Sequence, residues 1–238
     1  NECDESFSDI SNWDVSSVVT MNGMFRRSSI SPNLSSWDVH NLESIESIFD
    51  GSRFSGCIAE WDVSNVRTTE RAFALSHFNR DISKWDVSNV WNMREMFAGS
   101  DFNRSISGWN VRNVETIEAM FDSSRFRSGL GGWDTSNVVN MANAFRYGVV
   151  PNDIANWDVS SVTNASNMFA YAIFQRDCDI SMWDVSNVRT LHGIFRNSNF
   201  NGEISQWDVS NAQSISWAFA HTVFNRDISR WDVSSAKN

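Results

Sequence analysis

Along Ile82-Ser83-Lys84-Trp85-Asp86-Val87 apolar and polar residues alternate, the period of a strand with one buried face. Further on the period changes, and Met93, Met96 and Phe97 fall at i, i+3 and i+4, the apolar stripe of a helix. Asn92 stands just ahead of that stripe, and its side chain can accept a bond from a free helical N–H, so the pattern predicts a short helix starting there. Ser100 and Phe102 then lead back to the next alternating stretch.

The same order returns along the whole chain. Tryptophan stands at Trp13, Trp37, Trp61, Trp85, Trp109, Trp133, Trp157, Trp183, Trp207 and Trp231, a step of 24 residues broken by one step of 26. With Trp as position 1, the unit reads W-D-V-S-N-V-x-T-M-x-x-M-F-x-x-S-x-F-N-x-D-I-S-x. Position 8 is always Thr, Ser or Asn, and position 16 is always small. One unit cannot bury its apolar side chains alone, whereas units stacked about 4.8 Å apart share a core. The fold class predicted is an α/β solenoid, leucine-rich-repeat-like, with a parallel strand column and short helices in 24-residue coils. It forms a single repeat domain over residues 1–238, with nine full repeats between Trp13 and Trp231 and partial repeats at the ends. The tryptophans are expected to stack through the interior, and the asparagines at position 5, such as Asn89 and Asn113, to bond the backbone of adjacent units.

The order I-x-x-W-x-V, a turn with Asn, V-x-T-M, and A/M-F ahead of a small residue resembles the BspA-like leucine-rich-repeat surface proteins, in their short W-D-V-S-N-V variety. The resemblance covers essentially the whole chain. It implies an extracellular or cell-surface setting and a role in adhesion or recognition, and it carries no catalytic residues. The two-residue insertion around Asp177 and Cys178 and the scarcity of Lys, present only as Lys84 and Lys237, depart from it.

Composition narrows the partners. A net charge of −10 argues against nucleic acid or an anionic membrane, both of which need clustered Lys and Arg. No stretch reaches the ~20 apolar residues that span a bilayer, so membrane insertion is not expected. The chain begins without Met, which predicts a removed leader or a longer parent, and the lack of a closing element after Trp231 predicts more chain or another subunit there, with end-to-end or assembly contacts at the uncapped C-terminal coil.

Candidate chemistry is sparse. His40, His77, His192 and His221 fall at four different repeat positions, too scattered for a catalytic or zinc site. Cys57 and Cys178 lie five coils apart, about 24 Å at strand spacing and beyond disulfide reach, while Cys3 would need the N-terminal segment folded over to meet Cys57. The sequons at Asn33, Asn103 and Asn164 are compatible with secretion.

Position 2 forms an acidic row: Asp14, Asp38, Asp62, Asp86, Asp134, Asp158, Asp184, Asp208 and Asp232, interrupted by Asn110. One reading is calcium held between coils; the favoured one is that each carboxylate accepts bonds from neighbouring Ser hydroxyls and turn N–H groups, with no metal and no cofactor. The function expected is a non-catalytic repeat scaffold for protein or glycan recognition or adhesion at a surface, or a structural subunit of a larger assembly. The alternative is a carbohydrate-active enzyme or a calcium-binding β-solenoid using the aspartates. The candidate binding patch is Tyr147, Val149, Tyr171 and Ile173, apolar at positions 15 and 17 where other units carry mainly polar residues.

Overall fold

The computed structural model describes residues 10–175 and 178–238; Cys3 and Asp177 lie outside the described residues. The α/β solenoid of leucine-rich-repeat type is not found. Among the described residues there is no α-helix, and the regular elements are β1 (Val149–Val150), β2 (Ile173–Phe174) and a 3-10 helix (Asn152–Asn156). No strand column, helix layer or arc is assembled from them. Most of the chain is turns and extended links.

The predicted helix fails for a definite backbone reason. Positions 11 and 15 of every unit from that of Trp13 to that of Trp207 have a left-handed backbone, fourteen non-glycine residues and four glycines with φ between 52° and 67°. A right-handed helix cannot pass through such residues. In the unit that begins at Trp85, the N–H groups alternate between two destinations. Met96, Ala98 and Ser100 close three-residue-back turns to Met93, Glu95 and Phe97 at 3.1–3.2 Å. Met93, Glu95, Phe97 and Gly99 instead donate outward, to Thr116, Glu118, Met120 and Asp122 of the next unit at 2.7–3.0 Å. Asn92 does cap its turn, accepting from Arg94 N–H at 3.0 Å, but Glu95 at φ 52° ends the turn before it becomes a helix. Each left-handed non-glycine residue costs roughly 1–2 kcal/mol, offset here by the bonds between units that it permits.

Side chains repeat the same contacts. The Trp109 indole N–H donates to Ile82 carbonyl at 3.1 Å, and Trp37, Trp61, Trp85, Trp133, Trp157, Trp207 and Trp231 make the corresponding bond at 2.9–3.2 Å. Asn89 and Asn113 donate through Nδ2 to Ser64 and Ser88 carbonyls, each at 2.7 Å. Phe97 is fully buried, stacked on Phe102 at 4.1 Å and flanked by Phe73 at 5.7 Å and Phe121 at 6.1 Å. The small residue at position 16 has a task too: Ser100 Oγ donates to Phe97 carbonyl at 2.8 Å and accepts from Phe102 N–H at 3.4 Å.

Where that serine is missing, the strands appear. Position 16 is Gly148 and Ala172, and there β1 and β2 pair in parallel, Val149 with Ile173 and Val150 with Phe174. Asn199 then supplies the missing polar partners, accepting from Phe174 N–H at 2.7 Å and donating to its carbonyl at 3.0 Å.

Candidate functional site

The position-2 aspartates form neither a calcium ladder nor a catalytic pair. Asp62 Oδ1 accepts the Ser64 hydroxyl at 2.6 Å and its N–H at 3.1 Å, and Asp134 holds Ser136 in the same way. Asp86, Asp158, Asp184, Asp208 and Asp232 each accept from the N–H two residues on, Asp14 grips Ser16, and Asp38 takes His40. Asn110 keeps that geometry, accepting Arg112 N–H at 3.3 Å without the charge. Hydrogen bonds from the serine hydroxyl and N–H hold Asp14, Asp62, Asp134, Asp184 and Asp208 below the usual carboxylate range, the reverse of what a general acid requires. Among the described residues no group of three His, Cys, Asp or Glu side chains is placed to hold a metal. The carboxylates are spent inside their own turns, so both the calcium-binding β-solenoid and the glycosidase lose their machinery.

Cys57 is exposed and Cys178 buried, both free. Burial, with Asp179 and Asp153 nearby, pushes the Cys178 thiol up to about 12, an inert packing group. At the last unit Ile215, Trp217, Phe219, Ile228, Trp231 and Val233 line an open apolar hollow.

The four patch residues do come together. Val149 and Ile173 are register partners, and the Tyr147 and Tyr171 rings stack at 4.4 Å and 16°. Tyr147 is 54% exposed and Ile173 58%. Three residues that the sequence reading did not single out extend this row. Arg146 lies over the Tyr147 ring at 5.7 Å, and Arg196 lies 5.8 Å from the Tyr171 ring and 5.2 Å from that of Trp217, itself 57% exposed. Trp217 carried a signal: it stands outside the 24-residue tryptophan series, at position 11.

The chain matches the family model described as Mycoplasma protein of unknown function, DUF285, over residues 1–77, 51–152 and 148–238, and it belongs to that family. No curated protein and no solved structure matches it. The leucine-rich-repeat surface family is therefore not the one the chain joins, and the adhesion or recognition scaffold inferred from it falls along with the strand-and-helix architecture it needed. No helix among the described residues is long and apolar enough to cross a membrane.

Proposed function

We propose that the chain binds an external partner, a protein or a glycan, through Tyr147, Val149, Tyr171 and Ile173, and catalyses no reaction. The observation that carries this is the stack of exposed Tyr147 on half-buried Tyr171, continued by Arg146, Arg196 and Trp217. Tyr, Trp and Arg dominate binding energy where they occur at interfaces, because each joins a large apolar area to polar ends. The proposal stands on these side chains and needs no leucine-rich-repeat scaffold.

A panel of cell-surface polysaccharides and proteins, probed with the wild type and with Tyr147→Ala/Tyr171→Ala, tests it. The double variant should keep the wild-type urea midpoint to within a few tenths of a molar and lose binding at least tenfold. Binding that survives unchanged overturns the assignment of this patch. Turnover of a polysaccharide or peptide that disappears in Asp62→Asn would overturn the non-catalytic reading. An extracellular or cell-surface setting belongs to the same proposal, and labelling of intact cells with an impermeant reagent decides it.

A further inference from the structure

The turn face made by positions 10, 11, 14 and 15 is electrostatically divided. In the units from Trp37 to Trp109 it carries Glu46, Asp50, Glu70, Glu95, Glu118 and Asp122, all but Glu46 paired with arginines. Asp50 is buried between Arg26 at 3.0 Å and Arg71 at 3.2 Å, Arg71 also pairs with Glu95, and Arg94 reaches Glu70 at 3.3 Å and Glu95 at 3.1 Å. In the units from Trp133 to Trp207 the same positions hold Arg146, Arg196, His192 and His221 and not one carboxylate. The unit that begins at Trp13 also lacks acids at these positions, but its Arg26 is paired with Asp50; the longer acid-free run from Trp133 to Trp207 is where this face of a chain of net charge −10 places Tyr147, Tyr171 and Trp217.

The two arginines of that region differ. Arg146 is neutralised by Asp122, with Nη2 at 2.5 Å and Nε at 3.1 Å. Arg196 has no carboxylate within ion-pair distance among the described residues, and its buried Nε has no hydrogen-bond partner. Its guanidinium carbon lies near both the Tyr171 and Trp217 rings, which position a charge that no described carboxylate neutralises. A guanidinium so placed matches a carboxylate, and rings on either side match the C–H face of a pyranose. From Tyr147 to Trp217 the row crosses three steps of about 4.8 Å, roughly 14 Å, the reach of several sugar units. Tyr147 and Trp217 are exposed and Tyr171 is half-buried, and the hollow that Trp217 borders is open rather than enclosed, which favours a flat-lying chain of sugars over a protein hot spot.

We propose that Tyr147, Tyr171, Arg196 and Trp217 bind an acidic saccharide, its pyranose rings against the aromatic side chains and a carboxylate on Arg196. This rests on the patch being a binding surface and names what it takes.

Isothermal titration with hexagalacturonate, cellohexaose, a decaglutamate peptide and dT10 tests it. Hexagalacturonate should bind, and the other three should bind at least tenfold more weakly. Arg196→Gln should weaken hexagalacturonate binding at least tenfold and flatten its salt dependence. Arg196→Lys, which keeps charge and fold but lacks the planar fork, should recover only part of the loss, and Trp217→Ala should weaken binding while leaving the salt dependence in place. No binding of hexagalacturonate, equal binding of cellohexaose, the peptide or dT10, or an unaffected Arg196→Gln overturns the inference. If hexagalacturonate fails while a panel protein is lost in Tyr147→Ala/Tyr171→Ala, the ligand assignment is wrong and the surface is right. If that double variant changes nothing, both are wrong.

Discussion

Replacing Ala119 by glycine separates a left-handed turn from a helix by sign. Ala119 stands at position 11 with φ 53°, its N–H bonded to Ala142 carbonyl at 2.8 Å and its carbonyl accepting Asp122 N–H at 3.1 Å. In a helix interior the change would cost about 1 kcal/mol, plus up to ~0.8 kcal/mol for the buried methyl. In the left-handed conformation, glycine releases roughly 1–2 kcal/mol of backbone strain. Against that stand ~0.5–1 kcal/mol of extra chain entropy and the same methyl. The net is near zero. Ala98, half-buried at position 14, is not left-handed, and its change to glycine should cost about 1 kcal/mol.

Urea unfolding followed by tryptophan fluorescence resolves the difference. With a slope of about 2–3 kcal/mol per molar, Ala98→Gly should lower the midpoint by about 0.3–0.5 M while Ala119→Gly leaves it nearly unchanged. Ala119→Val, a β-branched side chain in the left-handed region, should cost at least about 2 kcal/mol. Equal losses for Ala119→Gly and Ala98→Gly would refute the reasoning, since that is what a helix through both positions requires.

Further outcomes follow from other features. Trp109→Phe should cost about 1 kcal/mol by removing one of the two donors to the Ile82 carbonyl, which keeps the Trp85 N–H at 3.1 Å, whereas Trp183→Phe should cost less, because the Trp183 indole N–H is buried without a partner among the described residues; equal urea midpoints would count against this. The aspartates held low by their serines bind protons less readily folded than unfolded, so their contribution is present above pH ~4 and lost as pH falls through their depressed values; a melting temperature flat from pH 6 to 2 would contradict it. Of the two described cysteines, Cys57 should alkylate in the native protein and Cys178 only after unfolding, as mass spectrometry of iodoacetamide adducts would show.

What the sequence showed and what it hid have the same origin. The 24-residue period, the indole positions and the asparagine bonds were legible because they follow from side-chain identity alone. The secondary structure was misread because Met93, Met96 and Phe97 satisfy i, i+3, i+4 spacing, and a turn with left-handed residues at positions 11 and 15 buries the same three side chains. The signal against a helix was present: Gly23, Gly51, Gly99, Gly193, Asn143, Asn167 and Asn197 all fall at those two positions. Glycine and asparagine are the residues that tolerate φ > 0, and their recurrence at positions 11 and 15 from unit to unit is an unhelical choice.

The same backbone explains why the candidate site lies where it does. At position 15 the left-handed residue turns its side chain away from the shared core, and none of the nine residues there, from Arg27 to His221, is buried. That position is free to vary without disturbing the Trp and Phe stacks, which is why it accommodates Arg27, Gly51, Leu75 and Ser123 as readily as Tyr147 and Tyr171. Two tyrosines in adjacent units become a face-to-face pair because the bonds between units set their register, as they set that of Phe97 and Phe121. Arg196 and Trp217 were missed because they occupy positions 14 and 11, distant in sequence terms from position 15 but beside it across the ladder. The surface is thus organised by the strained backbone that the apolar pattern concealed, and a change that straightens that backbone at Tyr171 would dismantle the row as surely as removing its rings.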